Sequence, residues 1–303
     1  MKQTKVLLLL LLTAVISLSA QVTDAEKKLK TLETDTIAGW KKGAVTSVNL
    51  AQTALVNWSA GGESSVAVNG LLSVFANYKN ENTAWDNSLD VGYGMLQQGQ
   101  NNGFIKTDDR FDLLSKYGRK AFSDFYYTAL VNFKTQFAPG YNYPNDSVQI
   151  SNFLAPAYLL GAVGLNYKPN SYFNVFFAPL TGKMTIVNDS ALSSVGAYGV
   201  APGDRTKSEF GGYARIIYSK SDFTNEILKN VAFTTKLDLF SNYLKDPQNV
   251  DVSWETQIAM KVNKYISVNL NTHLLYDADI KYEDGPARVQ FKEILGVGFT
   301  MKL

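Results

Sequence analysis

The chain of 303 residues has no cysteine, one histidine and only 8 prolines. Without cysteine there is no disulfide, no lipidated N-terminal cysteine and no thiolate metal site. Few prolines leave long stretches free to form regular structure. Charge of one sign is also missing, at 29 basic against 27 acidic residues. A nucleic-acid binder would show a basic stripe, so that class of partner is excluded. Long hydrophobic runs are absent after the first residues, which excludes membrane-spanning helices.

What is present starts with the N-terminus. Two lysines in Met1 to Lys5 precede an apolar run from Val6 to Leu18, followed by small Ser19 and Ala20. This is the pattern of a secretory signal peptide, with cleavage expected after Ala20 or Ser19. The run is shorter than the ~20 residues that a spanning helix needs. We therefore expect a signal peptide over 1–20, a periplasmic arm or short helix over 21–42, and one β domain over 43–303.

Tyrosine and phenylalanine number 17 each, and glycine 22. An exported chain of this composition favours antiparallel strands and turns. Period-two alternation bears this out along most of the sequence. In "FYYTALVNFKTQF", Phe125, Tyr127, Ala129, Val131 and Phe133 oppose Tyr126, Thr128, Asn132, Lys134 and Gln136. In "VAFTTKLDLFSNY", Phe233, Leu237 and Leu239 oppose Thr234, Lys236 and Asp238. In "VDVSWETQIAMKV", Trp254, Ile258 and Met260 oppose Glu255, Gln257 and Lys261. Each such strand has one apolar and one polar face.

Strands are expected at 45–57, 65–79, 83–97, 105–117, 121–137, 157–167, 172–180, 207–219, 228–243, 250–262, 265–277 and 288–303. Three features favour a membrane barrel over a soluble sandwich. The segments exceed the usual globular strand of about 5–6 residues. Full charges sit mid-strand, as in "KTDDRFDLLSK", where Lys106, Asp108, Arg110, Asp112 and Lys116 fall on one face. Short connections such as "NENT" and "NKY" alternate with long ones, the pattern of periplasmic turns and outer loops. An open edge could not be satisfied in lipid, so the sheet must close. The expected fold is an all-β, closed antiparallel transmembrane β-barrel of about 12 strands, placed in the outer membrane.

The alternating "EILGVGFTMKL" resembles the terminal strand that barrel-insertion machinery recognises. Glu293 is expected on the lipid side near the outer interface. Tyr93, Tyr127, Tyr243 and Trp254 read as lipid-facing anchors. Arginine at Phe233 or Val131 is expected to be costly, and at Thr234 or Asn132 tolerated.

The candidate lumen-lining charges are Lys106, Asp108, Arg110, Asp112, Lys116, Lys134, Lys236, Asp238, Glu255 and Lys261. They fit two readings: a conduction path, since charged rings set selectivity, or an ion-pair network that closes the barrel. Chemistry is scarce. His273 in "VNLNTHLLYDADI" lies on the polar face, and no nucleophile motif accompanies it, so we read a polar lumen residue rather than a catalytic base. Asp277, Asp279, Glu283 and Asp284 lack the spacing of a calcium loop. "LVNWSAGGES" precedes a strand and not a helix, so it is a hairpin with Gly61 and Gly62 at the turn and Trp58 as an anchor, not a phosphate loop. No catalytic residue, cofactor or metal is expected.

The motifs "NWSAGGE", "WDNSLDVGYG", "KTDDRFDLLSKYG", "TQFAPGY", "SNFLAPAY", "APLTGKMTIV", "YDADI" and "FKEILGVGF" together resemble an uncharacterised family of Bacteroidota outer-membrane proteins, number 3078 among the domains of unknown function. The resemblance runs from Gly43 to Leu303. It implies an outer-membrane β-barrel and brings no activity, substrate or catalytic residue. The expected function is a narrow channel or small-solute transporter; the alternative is a non-transporting structural or assembly partner in an envelope complex, with an integral hydrolase ranked last. The expected partners are outer-membrane lipid, the barrel-insertion machinery during assembly and envelope proteins.

Overall fold

The computed structural model describes residues 38–55, 63–99, 103–143, 145–263, 266–280 and 287–302. The expected signal peptide, the arm up to residue 37, the Trp58–Gly62 turn, Glu283 and Asp284 lie outside the described residues. The described residues form fourteen strands: β1 Gly39–Thr53, β2 Ser65–Lys79, β3 Thr83–Gln98, β4 Ile105–Phe122, β5 Phe125–Thr135, β6 Gly140–Asn142, β7 Asn145–Ser151, β8 Ala157–Tyr167, β9 Phe173–Ile186, β10 Thr206–Lys220, β11 Val231–Asn242, β12 Val250–Lys261, β13 Ile266–Tyr276 and β14 Gln290–Lys302. Twelve of them close an antiparallel barrel, with β1 on β14 and β5 on β8. The short β6 and β7 form a separate hairpin within the loop after β5. β1 begins at Gly39 rather than at residue 45, and pairs with β2 along its whole length.

The exterior is apolar. Val48, Leu72, Val74, Leu113, Val131, Val163, Phe177, Leu295 and Val297 are all exposed on it. An apolar surface this extensive has lipid, not water, as its solvent. Aromatic clusters ring the rim that carries the short turns. Trp40 packs on Tyr78 and Trp85, at 5.4 and 5.6 Å between ring centroids. Phe125 stacks on Phe122 and Tyr167 at 4.9 and 4.8 Å. Tyr218 meets Tyr172 and Phe233. Such girdles mark the membrane–water interface. Tyr93, Tyr127, Tyr243, Trp254 and Glu293 also project outward.

Four bulges adjust the barrel sheet among the described residues. At one of them, between β8 and β9, Pro179 sits where no ladder N–H is required. A side chain on Gly164, opposite, would meet the Phe177 carbonyl oxygen at 2.0 Å, so only glycine fits there.

The interior is not uniformly polar. Leu130, Ala162, Phe176, Ala178, Tyr213 and Phe240 form a buried cluster inside the wall made by β5, β8, β9, β10 and β11. Small Ala162 and Ala178 leave room for the Phe176 ring. This cluster narrows the barrel from one side. The remaining lumen is a charge-lined chamber faced by strands from all round the ring.

Candidate functional site: the lumen

The chamber has a volume of about 950 Å³. Eight of the ten candidate charges line it: Asp108, Arg110, Asp112, Lys116, Lys134, Lys236, Asp238 and Glu255. Lys106 and Lys261 do not. Lys261 is the last residue of β12 at the short-turn rim. Lys106 leaves the row because β4 bulges at Thr107: Gly94 pairs with Asp108, but Met95 pairs with Lys106. Its ammonium donates to Asp109 Oδ2 at 2.9 Å and to the Ala138 carbonyl at 2.7 Å. The same Asp109 carboxylate accepts the Phe137 and Ala138 amides, so the pair ties down the loop after β5.

The lumen charges are paired. Arg215 grips Asp238 through two bonds, Nε to Oδ1 at 2.5 Å and a terminal nitrogen to Oδ2 at 2.9 Å, and Tyr213 donates to Oδ1 at 2.6 Å. Asp112 accepts from Asn132 at 2.6 Å and faces Lys134 at 3.7 Å. Asn132 is therefore a buried partner, and the expectation that arginine is tolerated there is withdrawn: arginine would strip Asp112 of that bond. Thr234, which lines the chamber, keeps the expectation.

Two contacts span the lumen. Glu255 on β12 meets Lys236 at 2.9 Å and Arg110 on β4 at 3.5 Å. β4 and β12 stand halfway round the ring from one another. Lys292 on β14 reaches Asp108 on β4 at 2.7 Å. Nearer the outer end, Lys183 sits over the Phe240 ring at 5.0 Å and pairs with Asp251 at 2.6 Å, Glu209 at 3.6 Å and Asp277 at 3.7 Å. Sequence reading missed Lys183, Arg215 and Lys292. All three sit at inward parity on their strands, which is the signal that would have found them.

Two long loops roof the chamber. Ala155 after β7 packs with Val187, Leu192 and Val200 from the β9–β10 loop. That loop carries a short helix, α1 Ser190–Ser194. Asp189 caps α1 by accepting the Ala191 and Leu192 amides, and its other oxygen accepts Gln149 at 2.8 Å and Asn152 at 3.0 Å. The hydrogen bond from Asn152 is the largest of the effects holding its pKa below the usual carboxylate value. The Tyr198 hydroxyl donates to the Ile150 carbonyl at 2.5 Å, and burial raises its pKa to about 12. Tyr198 and Ile150 line the chamber from above.

A folded-state pKa below the unfolded one means that Asp189 stabilises the roof above the ordinary carboxylate range. That contribution is lost as pH falls through its folded pKa. Asp189→Ala should loosen the roof by about 1 kcal/mol, seen as faster hydrogen exchange at Gln149 to Asn152 with the barrel strands unaffected. Unchanged exchange there would remove Asp189 as the link between the loops.

His273 faces inward, its Nε2 at 2.9 Å from Ser253 Oγ. Asp279, beyond β13, contacts Lys207 and lies 3.8 Å from Lys245. Burial raises its pKa, but the Lys207 bond and charge outweigh it, leaving the carboxyl below its usual range. Asp277 and Asp279 are thus taken up by lysines, and no acidic or histidine group suited to a metal occurs among the described residues.

Closed sheet, apolar exterior, aromatic girdle and wet interior together define an outer-membrane β-barrel protein. Residues 50–141 of this barrel match the family described as "Protein of unknown function (DUF3078)", the family whose motifs the sequence resembles. The match takes in β2 to β5 and is shorter than the Gly43–Leu303 span of the motifs. No curated protein matches the chain. Solved structures similar in fold include the following three. The translocator domain of the autotransporter NalP from Neisseria meningitidis is 10% identical, over 88% of this chain and 90% of its own, with a TM-score of 0.38. An outer membrane channel from Pseudomonas putida F1 is 9% identical, over 89% and 97%, with a TM-score of 0.40. Outer membrane phospholipase A from Escherichia coli is 11% identical, over 88% and 99%, with a TM-score of 0.38.

Proposed function

We propose that this protein is a narrow outer-membrane channel or small-solute transporter, held closed in the conformation described. The observation that supports this reading is the Arg110–Glu255 contact across the chamber. A barrel needing only mechanical closure could fill its whole lumen with apolar side chains, as it does along the Phe176 side. Instead it keeps about 950 Å³ of charge-lined space and spans it with two ion pairs, Arg110–Glu255 and Lys292–Asp108. The Arg110–Glu255 pair is long, at 3.5 Å, and 38% and 23% of the two side chains are exposed. When it parts, Glu255 keeps Lys236 as its partner at 2.9 Å.

The test is conductance in a planar bilayer. Glu255→Gln removes the negative charge that holds Arg110 and Lys236 together. The expected result is a low, flickering wild-type conductance that rises several-fold in Glu255→Gln. Silence of both proteins, each verified as folded, would favour the alternative of a non-transporting structural or assembly partner. The roof packed around Val187 and Leu192 is the feature that supports the alternative. Catalysis forms no part of the proposal: we assign the Ser253–His273 contact to bracing β12 against β13.

A further inference from the structure

The short-turn end of the chamber differs in charge from the middle. At mid-height each cation has a carboxylate against it. At the lower end Lys79 from β2, Lys116 from β4 and Lys168 after β8 converge on the same space, joined by Lys41 from β1. The acidic groups lining that end are Asp86 on β3 and Asp124 in the β4–β5 turn. Lys116 lies 3.5 Å from Asp86. Lys41 and Lys79 make polar contacts of their own. Lys168 is placed by its backbone amide, which donates to the Asp124 carbonyl at 3.0 Å. Its ammonium makes no hydrogen bond or ion pair with the described residues. Tyr126, Asn77, Asn87 and Asn166 complete the lining with neutral polar groups.

Holding the Lys168 ammonium in the lumen beside Lys116, with no hydrogen bond or ion pair to the described residues, is unfavourable unless something compensates. The arrangement matches what a small anion requires: point charges from several sides, and neutral amide and hydroxyl groups to fix its oxygens. We infer that the periplasmic end of the lumen is a binding site for a small oxyanion, a phosphate or a carboxylate, held by Lys168 and Lys116 with Lys79 beside them. The site stands whether or not the barrel conducts, because it needs only access from the short-turn rim.

One further property agrees. Burial above all, opposed by Asp86 and reinforced by the nearby Lys116 and Lys79 charges, lowers the Lys168 pKa to about 8. An anion bound between these groups would raise it again. Binding near pH 8 must therefore take up a proton.

The experiment is calorimetric titration of the folded full chain in detergent at low ionic strength, with inorganic phosphate and succinate as probes and chloride as control. Saturable binding of phosphate, succinate or both is expected, at least tenfold weaker in Lys168→Gln and unchanged in Lys245→Gln. Repeating the titration at pH 8 in two buffers of different ionisation heat should reveal proton uptake in the wild type that disappears in Lys168→Gln. No saturable heat from either oxyanion overturns the site. So does binding that Lys168→Gln leaves unaltered. Retained folding of each variant, checked by its mobility shift on heating, keeps loss of binding distinct from loss of the barrel.

Discussion

Replacing Asp238 by alanine should destabilise the folded barrel by about 3–5 kcal/mol, the cost of leaving one member of a buried ion pair without its partner. Asp238 accepts three hydrogen bonds, two from Arg215 and one from the Tyr213 hydroxyl. The side chains of Arg215 and Asp238 are only 5% and 10% exposed. Removing the carboxylate strands a guanidinium beside the apolar cluster of Phe176 and Phe240 with its main partner gone. Equilibrium unfolding from lipid vesicles in guanidinium chloride measures the effect. The double variant Arg215→Leu with Asp238→Leu should recover most of it, because removing both partners removes the penalty. A loss below about 1 kcal/mol for Asp238→Ala would mean that the pair behaves like a surface bridge.

The second large effect is on the outside. Val131→Arg places a charge on the lipid face near the middle of β5, where 52% of Val131 is exposed. The expected cost is about 2–4 kcal/mol at the midplane. Thr234→Arg, facing the chamber, should cost far less, because its guanidinium enters a wet space already holding charge. Refolding yield and unfolding midpoint in the same vesicles compare the two. Equal tolerance would overturn the assignment of inner and outer faces.

Period two is why so much of the fold was legible. A strand with Phe125, Tyr127 and Val131 on one side and Thr128, Asn132 and Lys134 on the other announces two different solvents. The length of such strands, and closure in a medium that satisfies no free edge, leave few alternatives to a barrel. Eight of the ten candidate charges reached the lumen for the same reason.

The exceptions have local causes. Lys106 left the row because a single extra residue at Thr107 reverses parity, and bulges have no dependable signature in one sequence. Asn132 looked replaceable because a polar residue at inward parity reads the same whether it faces water or grips Asp112.

By itself, the sequence determined the barrel, the number of strands that close it, the faces and the ends at which the loops gather, but not the β6–β7 hairpin. These depend on composition and near-neighbour pattern, which a linear chain displays directly. Tertiary structure alone decided which charges meet. Arg110 and Glu255, Lys292 and Asp108, and the lysines near Lys168 are far apart in the chain. They are brought together only when strands on opposite walls of a closed ring face the same narrow space. Whether a lumen of this size is filled, bridged or open depends on those cross-lumen distances, and closure of the sheet sets them.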